Sequence, residues 1–509
     1  MSERFNGSFT QQEPIPEAGI AAALAVLRHG RLHRYNTAPG EIAETALLEE
    51  EFAAVMGAKY CLAVASGGYA MATALRALQV GVGEPVLTNA FTLAPVPGAI
   101  ASVGAQPVFI ETSVALVIDF AHLAAMARAT GARLLLLSHM RGHVCDMGAL
   151  MDLCRGLGLV VIEDCAHTMG GSYAGVVSGR HGLVACYSMQ TYKHMNAGEG
   201  GFLVSDDADV MARAVLLSGS YMLYGKHRAA PPTGAFDGVR LDIPNISGRM
   251  DNLRAAILRP QIAMLPDRVA RWERLYRVLE AGLQATPGLR LVERPEVERF
   301  VGSSFQFLLP DWSKARIAAL LSRCAARGVE LKWFGADQPV AFTSRYDHWH
   351  YAGAQSLPQT DRILAGLVDM RVPLTFSLDD CALIALIIRA EVLAVGGQRQ
   401  HGIGREVVRL AVAAGRQHVK GQVRAVDQFA IFGRVVVAGR VVLLPAAAVE
   451  QQHLAGGAPA AKSKAGRGQG QVEIAALHRQ RLLRRGPKGI VRGKREREKA
   501  VTAPIHRAG

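Results

Sequence analysis

With 509 residues, half of them apolar, the chain has room for two to four domains and a large buried core. Its net charge of +14 is not a nucleic-acid or membrane footprint spread over a fold: residues 397–509 hold 22 Lys and Arg against 6 Asp and Glu, so the first 396 carry about −2. Seven cysteines without a C-x-x-C pair, a polar first twenty residues and no apolar run near the roughly 20 residues of a spanning helix exclude a disulfide scaffold and a membrane span, and a cytoplasmic protein is expected.

Strand-like apolar runs then follow one another along the chain: "YCLAVAS", "PVLTNAF", "QPVFIE", "RLLLLSH", "LVVIED" and "GFLVSD". Alanine-rich helical stretches such as "YAMATALRALQVG" and "DMGALMDLCRGLG" separate them. This alternation predicts an α/β fold with a large, mostly parallel sheet covered on both faces. Ligands of such sheets bind beyond the carboxyl ends of the strands, so three ends matter most.

The first end is "AVASGGYAMATAL", where Ser66, Gly67 and Gly68 join a strand to a helix. Glycines let a ligand approach the backbone, and the helix start offers unpaired N–H groups to a phosphate. An HxxxH pair follows at His139 and His143, but no third ligand at useful spacing accompanies it, and a metal site is set aside. The second end, "LVVIEDCAHTMG", places Asp164 at the mouth of the crevice with His167 one turn on. The third, "CYSMQTYKHMNAGEGG", carries Ser188 and then Lys193 among small residues. A lysine held in a crevice can lose its proton and attack a carbonyl.

Each feature alone is ordinary: a turn, a capping Asp, a solvated charge. Together and in this order they are what pyridoxal phosphate requires. A lysine forms its imine, an Asp keeps the pyridine nitrogen protonated so that the ring takes up electrons, and a turn anchors the phosphate.

From here the residues resemble a known family. "VIEDCAHTMGG", "CYSMQTYKHMNAGEGGFLVSDD" and "SGRMDNLRAAILRPQ", with "LLEEEFAAVMGAKYCLAVASGG" before and "LPQTDRILAGLVDMRVPLTFSLDD" after, look like the DegT/StrS sugar aminotransferases, pyridoxal-phosphate enzymes of fold type I. The resemblance runs from about Leu24 to Val392. It implies an aspartate-aminotransferase-like fold with a large domain over residues 1–249 and a smaller α/β domain over 250–395. A long helix through "DNLRAAILRPQIAML" and "RVARWERLYRVLEAGL" is expected to open the smaller domain.

By position, the resemblance makes Lys193 the Schiff-base lysine and Asp164 the partner of the pyridine nitrogen. His167 falls close to the cofactor's phenolic oxygen, and Ser188 falls on a phosphate-binding serine. The usual S-G-T of the phosphate turn reads Ser66-Gly67-Gly68 here, so one hydroxyl donor is missing. Leu93 stands where the family stacks an aromatic on the ring, unless Phe91 moves into that place. The N-x-R motif that reaches the partner subunit's phosphate reads Ser247-Gly248-Arg249, with Asn245 two residues earlier.

The resemblance further implies a ping-pong transamination from Glu or Gln to a keto sugar, nucleotide-linked, or to a keto-cyclitol, carried out by a homodimer that shares its active sites. Lys226, His227, Arg228, Lys332 and Trp333 lie in segments expected to face the acceptor, although exposure to solvent explains them equally well. Two alternatives stay open. One is a sugar dehydratase, whose known form has histidine in place of the lysine; the other is a non-catalytic regulatory protein whose basic tail binds nucleic acid. For residues 396–509, with two aromatics and no helical period, disorder or a shifted reading frame is favoured over a nucleic-acid arm.

Overall fold

The computed structural model describes residues 3–397 and two short strands, Arg434–Val437 and Arg440–Leu443. Those two strands pair antiparallel in a unit of their own. The remaining expectations for the tail, disorder or a shifted frame, fall outside the described residues.

Seven strands form the main sheet of an α/β fold. Their spatial order is Tyr60–Val64, Gly201–Ser205, Val184–Ser188, Val160–Asp164, Leu134–Ser138, Pro85–Asn89 and Gln106–Ile110. Only Gly201–Ser205 runs against the others, pairing antiparallel with both of its neighbours. The six runs read from the sequence as strands are six of these seven, and the seventh is the "CYS" strand that leads to Lys193. Their continuous apolar character has a plain cause: both faces are covered. Cys61 and Ala63 point into one core with Phe52, Tyr187 and Phe202, while Leu62 and Val64 point into another with Leu75, Ile100 and Met211. Phe52 and Phe202 stack at 4.1 Å between centroids and are fully buried. Truncating either to alanine would cost about 3–5 kcal/mol.

The sheet's order brings three strand ends together. Gly201 lies in register with both Val64 and Ser188, so the end of "AVAS" and the end of "CYS" are one strand apart. A Cβ at Gly201 would come within 2.2 Å of the Ser66 carbonyl oxygen. Glycine at the close of the "NAGEGG" turn therefore has a steric reason.

The long helix is continuous over Asn252–Leu283, capped by the Asp251 carboxylate, which accepts from the Arg254 N–H. It passes through Pro260 and Pro266, each of which removes one backbone donor from the helix. Beyond it lies a four-stranded antiparallel sheet ordered Arg290–Leu291, Ser304–Leu308, Leu367–Arg371 and Lys332–Trp333. The N-terminal segment packs onto this later part of the chain: Phe5 and Phe9 make edge contacts with Phe376, and the Phe5 N–H bonds to the Arg327 carbonyl. All seven cysteines are buried free thiols. Among the described residues no helix is long and apolar enough to cross a membrane.

Candidate active site

A cavity of about 470 Å³ opens at the carboxyl ends of the main sheet's strands. One end of it is the turn after Val64. Ser66 caps the helix Gly67–Ala77, its Oγ accepting from the Tyr69 N–H at 3.1 Å. A Cβ on Gly67 would stand 2.9 Å from the Ser188 Cβ and 3.3 Å from the Tyr187 carbonyl, so the two strand ends can meet only over glycine. At Gly68 there is space, with Pro95 Cβ nearest at 3.7 Å. The missing hydroxyl is therefore a lost donor and not a steric necessity. Ser188 lines the same cavity, its Oγ accepting from the Gln190 N–H at 3.3 Å. Beyond the capped Tyr69 N–H, the helix start, two glycines and two hydroxyls offer the kind of donors an anion takes.

Parallel pairing of Leu134–Ser138 with Val160–Asp164 sets Ser138 beside Asp164. The Ser138 hydroxyl donates to Asp164 Oδ2 at 3.0 Å, and the Ala166 N–H donates to Oδ1 at 3.1 Å. Each oxygen keeps a lone pair for a ligand in the cavity. The strand's alternation turns Glu163 to the opposite face, where it accepts from the N–H groups of Gly179, His181 and Gly182 and pairs with His139 at 3.0 Å. His139, Glu163 and Cys165 have ligand atoms within 4.8 Å of one another, yet Glu163 is already saturated and His143 is bonded elsewhere, to Gln306. This supports leaving the HxxxH pair as structural.

Lys193 sits across from Asp164. Burial brings its ammonium down to about 7 against the attraction of Asp164, and the guanidiniums of Arg141 and Arg371 push the same way as burial. Its Nζ lies 2.8 Å from His167 Nε2. Burial, with the neighbouring Lys193 and Arg141, keeps His167 well below its usual range, so the ring is neutral. The Arg141 N–H donates to His167 Nδ1 at 3.3 Å, which leaves the ring proton on Nε2. With a neutral His167 at 2.8 Å and its own ammonium brought down to about 7, Lys193 can give up its proton near neutral pH.

His194, next in the chain, faces away. It meets Ser303 Oγ at 3.2 Å and the edge of Trp272, and burial pulls it to about 3. It cannot stand in for the lysine, which removes the geometric basis of the dehydratase alternative.

Residues 17–388 match the DegT/DnrJ/EryC1/StrS aminotransferase family. The chain belongs to that family. Among its relatives is a putative L-glutamine:3-amino-2,3-dideoxy-scyllo-inosose aminotransferase of Micromonospora echinospora, 31% identical over 286 residues, or 56% of this chain. The match spans 66% of that relative, just under two thirds of its length. A UDP-N-acetyl-3-dehydro-alpha-D-glucosamine 3-aminotransferase of Acidithiobacillus ferrooxidans is 31% identical over 52% of this chain and 71% of its own. The crystal structure of a 3-amino-5-hydroxybenzoic acid synthase covers 76% of this chain and 99% of its own at 25% identity, with a TM-score of 0.66.

As a member of the DegT/DnrJ/EryC1/StrS family, the chain brings Ser66, Gly67, Gly68, Leu93, Asp164, His167, Ser188 and Lys193 to one cavity. Phe91 does not replace Leu93: it is buried in the cluster behind Leu93, edge-on to Phe334 at 5.2 Å, and does not line the cavity. Asn245 and Ser247 are exposed on the segment before the long helix and do not line the cavity of their own chain. The residues expected to face the acceptor are occupied elsewhere or stand away from it. Lys226 donates to the Tyr35 carbonyl, His227 is buried against Arg34, Tyr35 and Glu49, Arg228 pairs with Glu50, and the Trp333 indole donates to the Ala365 carbonyl. Neither Lys332 nor Trp333 lines the cavity.

Sequence reading missed Arg141, Tyr192, Phe342 and Arg371, all of which do. Arg141 stands just after "LLLLSH" and was findable as another strand end. Tyr192 directly precedes Lys193 and was findable in the same turn, whereas Phe342 and Arg371 depend on how the later part of the chain folds back over the crevice, which no local pattern records.

Proposed function

We propose that this protein transfers an amino group from an amino acid, Glu or Gln, to the ketone of a sugar, nucleotide-linked, or of a cyclitol, using pyridoxal phosphate. The observation that carries the reading is the pairing of Lys193, whose ammonium burial brings down to about 7 beside His167, with Asp164 at a neighbouring strand end in the same cavity. The residues fit the cofactor. Gly68 leaves an open approach to a helix start for the phosphate, and Asp164 retains free lone pairs for a protonated ring nitrogen. Bound there, pyridoxal phosphate supplies an aldehyde carbon and a ring that takes up an electron pair.

The chain's own residues do the rest. A neutral Lys193 would be the nucleophile toward a carbonyl carbon held in the cavity, and as a free amine its Nζ would be the base for a proton on the donor's Cα. In the second half-reaction it returns a proton to the carbon of the acceptor. His167 holds that amine through Nε2, and Asp164 would hold a protonated ring nitrogen with a charge-assisted hydrogen bond. Ser66, Gly67, Gly68 and Ser188 would hold the phosphate, and Leu93 would offer an apolar face to the ring.

A homodimer belongs to this reading. Leu241 and Ile246 are exposed on the segment that carries Asn245 and Ser247, and the exposed Tyr221 ring lies against Arg249 beside it, an apolar surface suited to a second copy whose cavity those two residues would complete. The domain division at residue 249/250 is part of the same proposal. Names of the relatives, a scyllo-inosose-type and a UDP-sugar aminotransferase, support the two acceptor classes.

The test is a visible spectrum of the purified protein with added pyridoxal phosphate, followed by borohydride reduction and peptide mass mapping. A visible band with the reduced cofactor's mass on Lys193 supports the reading. No band and an unmodified Lys193 would overturn it and favour a non-catalytic role.

A further inference from the structure

The loop that carries Lys193, residues 189–200, joins two strands of the main sheet and has no regular structure of its own. It is tied to itself in part: the Lys193 N–H donates to the Gln190 carbonyl at 2.8 Å, and the Ala197 N–H donates to that of Met189 at 3.1 Å. The stretch just after the lysine turns inward, with His194 and Met195 buried, and buried backbone groups outside a ladder need partners. Side chains of the long helix supply them. Gln261 accepts from the Asn196 N–H through Oε1 at 2.9 Å and donates to the Asn196 carbonyl through Nε2 at 2.8 Å, pairing with one residue as a neighbouring strand would. Arg268 donates through NH1 to the His194 carbonyl at 3.1 Å and to Gln261 Oε1 at 2.9 Å.

Gln261 and Arg268 are seven residues apart, about two turns of helix, so both stand on one face, and Trp272 follows one turn on. That face is otherwise apolar, with Leu258, Ile262, Leu265 and Val269 buried around them in the core that also holds Met195. Gln261 is fully buried and Arg268 nearly so. Groups of this kind destabilise a core unless they find partners, and here the partners include three backbone groups of one loop. Trp272 lines the cavity, meets the His194 ring edge-on at 5.2 Å and donates its indole N–H to the Val372 carbonyl at 2.9 Å. One helix face thus holds the lysine's loop at one point and the cavity wall at another.

We infer that Gln261 and Arg268 are positioning residues for Lys193, clamping the backbone just after it so that its Nζ stays aimed into the cavity. The inference rests on the aminotransferase reading above for the reaction that the lysine serves. In that reaction the lysine must leave a carbonyl carbon and return to it in every cycle, so its backbone has to keep its place while the side chain is free. A shift of about 1 Å at a reacting group can cost on the order of 100-fold in rate. The clamp also keeps the amine out of water, and burial is what brings the Lys193 ammonium down to about 7.

The test uses Q261M, R268M and R268K, with R259M as a control on the same helix, since Arg259 pairs with Glu44 and Glu51 of the helix Glu44–Met56. In the purified full chain without cofactor, Lys193 is titrated by trace acetylation with acetic anhydride and peptide mass mapping, and hydrogen exchange reads the Asn196 amide. The wild type is expected to titrate at about 7 with Asn196 protected. In Q261M and R268M the amide should exchange faster and the midpoint should rise toward the ordinary lysine value; R268K should recover part of both, and R259M should change neither. With pyridoxal phosphate added, the visible band should grow roughly 10- to 100-fold more slowly in Q261M and R268M. A wild-type midpoint and a wild-type rate of band growth in these two, measured where both are folded, would leave them purely structural and overturn the inference. Should both fail to fold, Q261E keeps the acceptor and loses the donated bonds, and a wild-type midpoint there overturns it equally. Acetylation and exchange need no cofactor, so a wild type that shows no band counts against the aminotransferase reading while the clamp is still judged.

Discussion

The floor of the cavity and its wall are built on different rules. The floor is made of strand ends in one sheet: Ser66 to Gly68, Asp164, Ser188 and Lys193 are near one another because Gly201 lies in register with both Val64 and Ser188, and Ser138 with Asp164. The wall comes from loops and from the later sheet, where Arg371, Phe342 and Ser303 arrive from distant parts of the chain. On the proposed reading, floor residues would hold the chemistry at fixed spacing and wall residues would decide what reacts there. Variants of the two regions should therefore differ in kind.

The largest effect is expected on the floor. Lys193→Met should abolish cofactor labelling and lower turnover by roughly 10⁴-fold or more, checked by borohydride trapping and single-turnover rates. The same variant tests the lysine's proton. Lys193 titrates near 7 when folded and near 10.4 when unfolded, so between those values the unfolded chain binds more protons. The lysine's cost to stability is full below about pH 7 and fades toward pH 10. Melting curves should accordingly show Lys193→Met stabilising most at pH 6 and least at pH 10; equal gains at both would contradict a lowered lysine.

Asp164→Asn should cost roughly 10- to 100-fold in turnover, the value of one charge-assisted hydrogen bond, while the fold melts normally, since Ser138 and Ala166 can still be satisfied. Gly67→Ala should destabilise by about 1–3 kcal/mol in chemical denaturation, because its Cβ meets Ser188 and the Tyr187 carbonyl. The smallest change is a gain. Gly68→Ser has room for its hydroxyl and should tighten pyridoxal phosphate a few-fold in a titration, about 0.5–1.5 kcal/mol, restoring a donor to the cradle. Were Gly68→Ser to loosen the cofactor while Gly67→Ala left stability unchanged, the two glycines would have been assigned to the wrong roles.

The same contrast explains what the sequence made legible. Buried parallel strands announce themselves as apolar runs, and chemistry at their carboxyl ends follows with fixed spacing, so six strands of the main sheet and the Asp164 and Lys193 ends could be read directly. The place of Leu93 was legible by resemblance, but that Phe91 is locked against Phe334 needed the packing. Lys226, His227 and Arg228 had looked like acceptor contacts because charge in a loop suggests a ligand. Their partners, Tyr35, Glu49 and Glu50, lie nearly 180 residues or more away in sequence, a distance over which no local pattern operates. Arg371 hid for the opposite reason: "LVDMR" alternates like any half-buried strand, and only the fold shows that its last side chain lines the cavity and has no carboxylate partner among the described residues.

The buried cysteines offer a clock. Every thiol among Cys61, Cys145, Cys154, Cys165, Cys186, Cys324 and Cys381 is enclosed, and burial raises those of Cys61, Cys165 and Cys186 well above the usual range. A folded molecule should be silent toward an alkylating reagent at neutral pH. Each label acquired then counts an opening of the region around that cysteine, with Cys165 and Cys186 beside the strand ends of the floor and Cys324 and Cys381 on helices of the later part. Mass spectrometry of the alkylated chain would thus time, region by region, how often the molecule breathes, and whether a bound substrate quiets one half before the other.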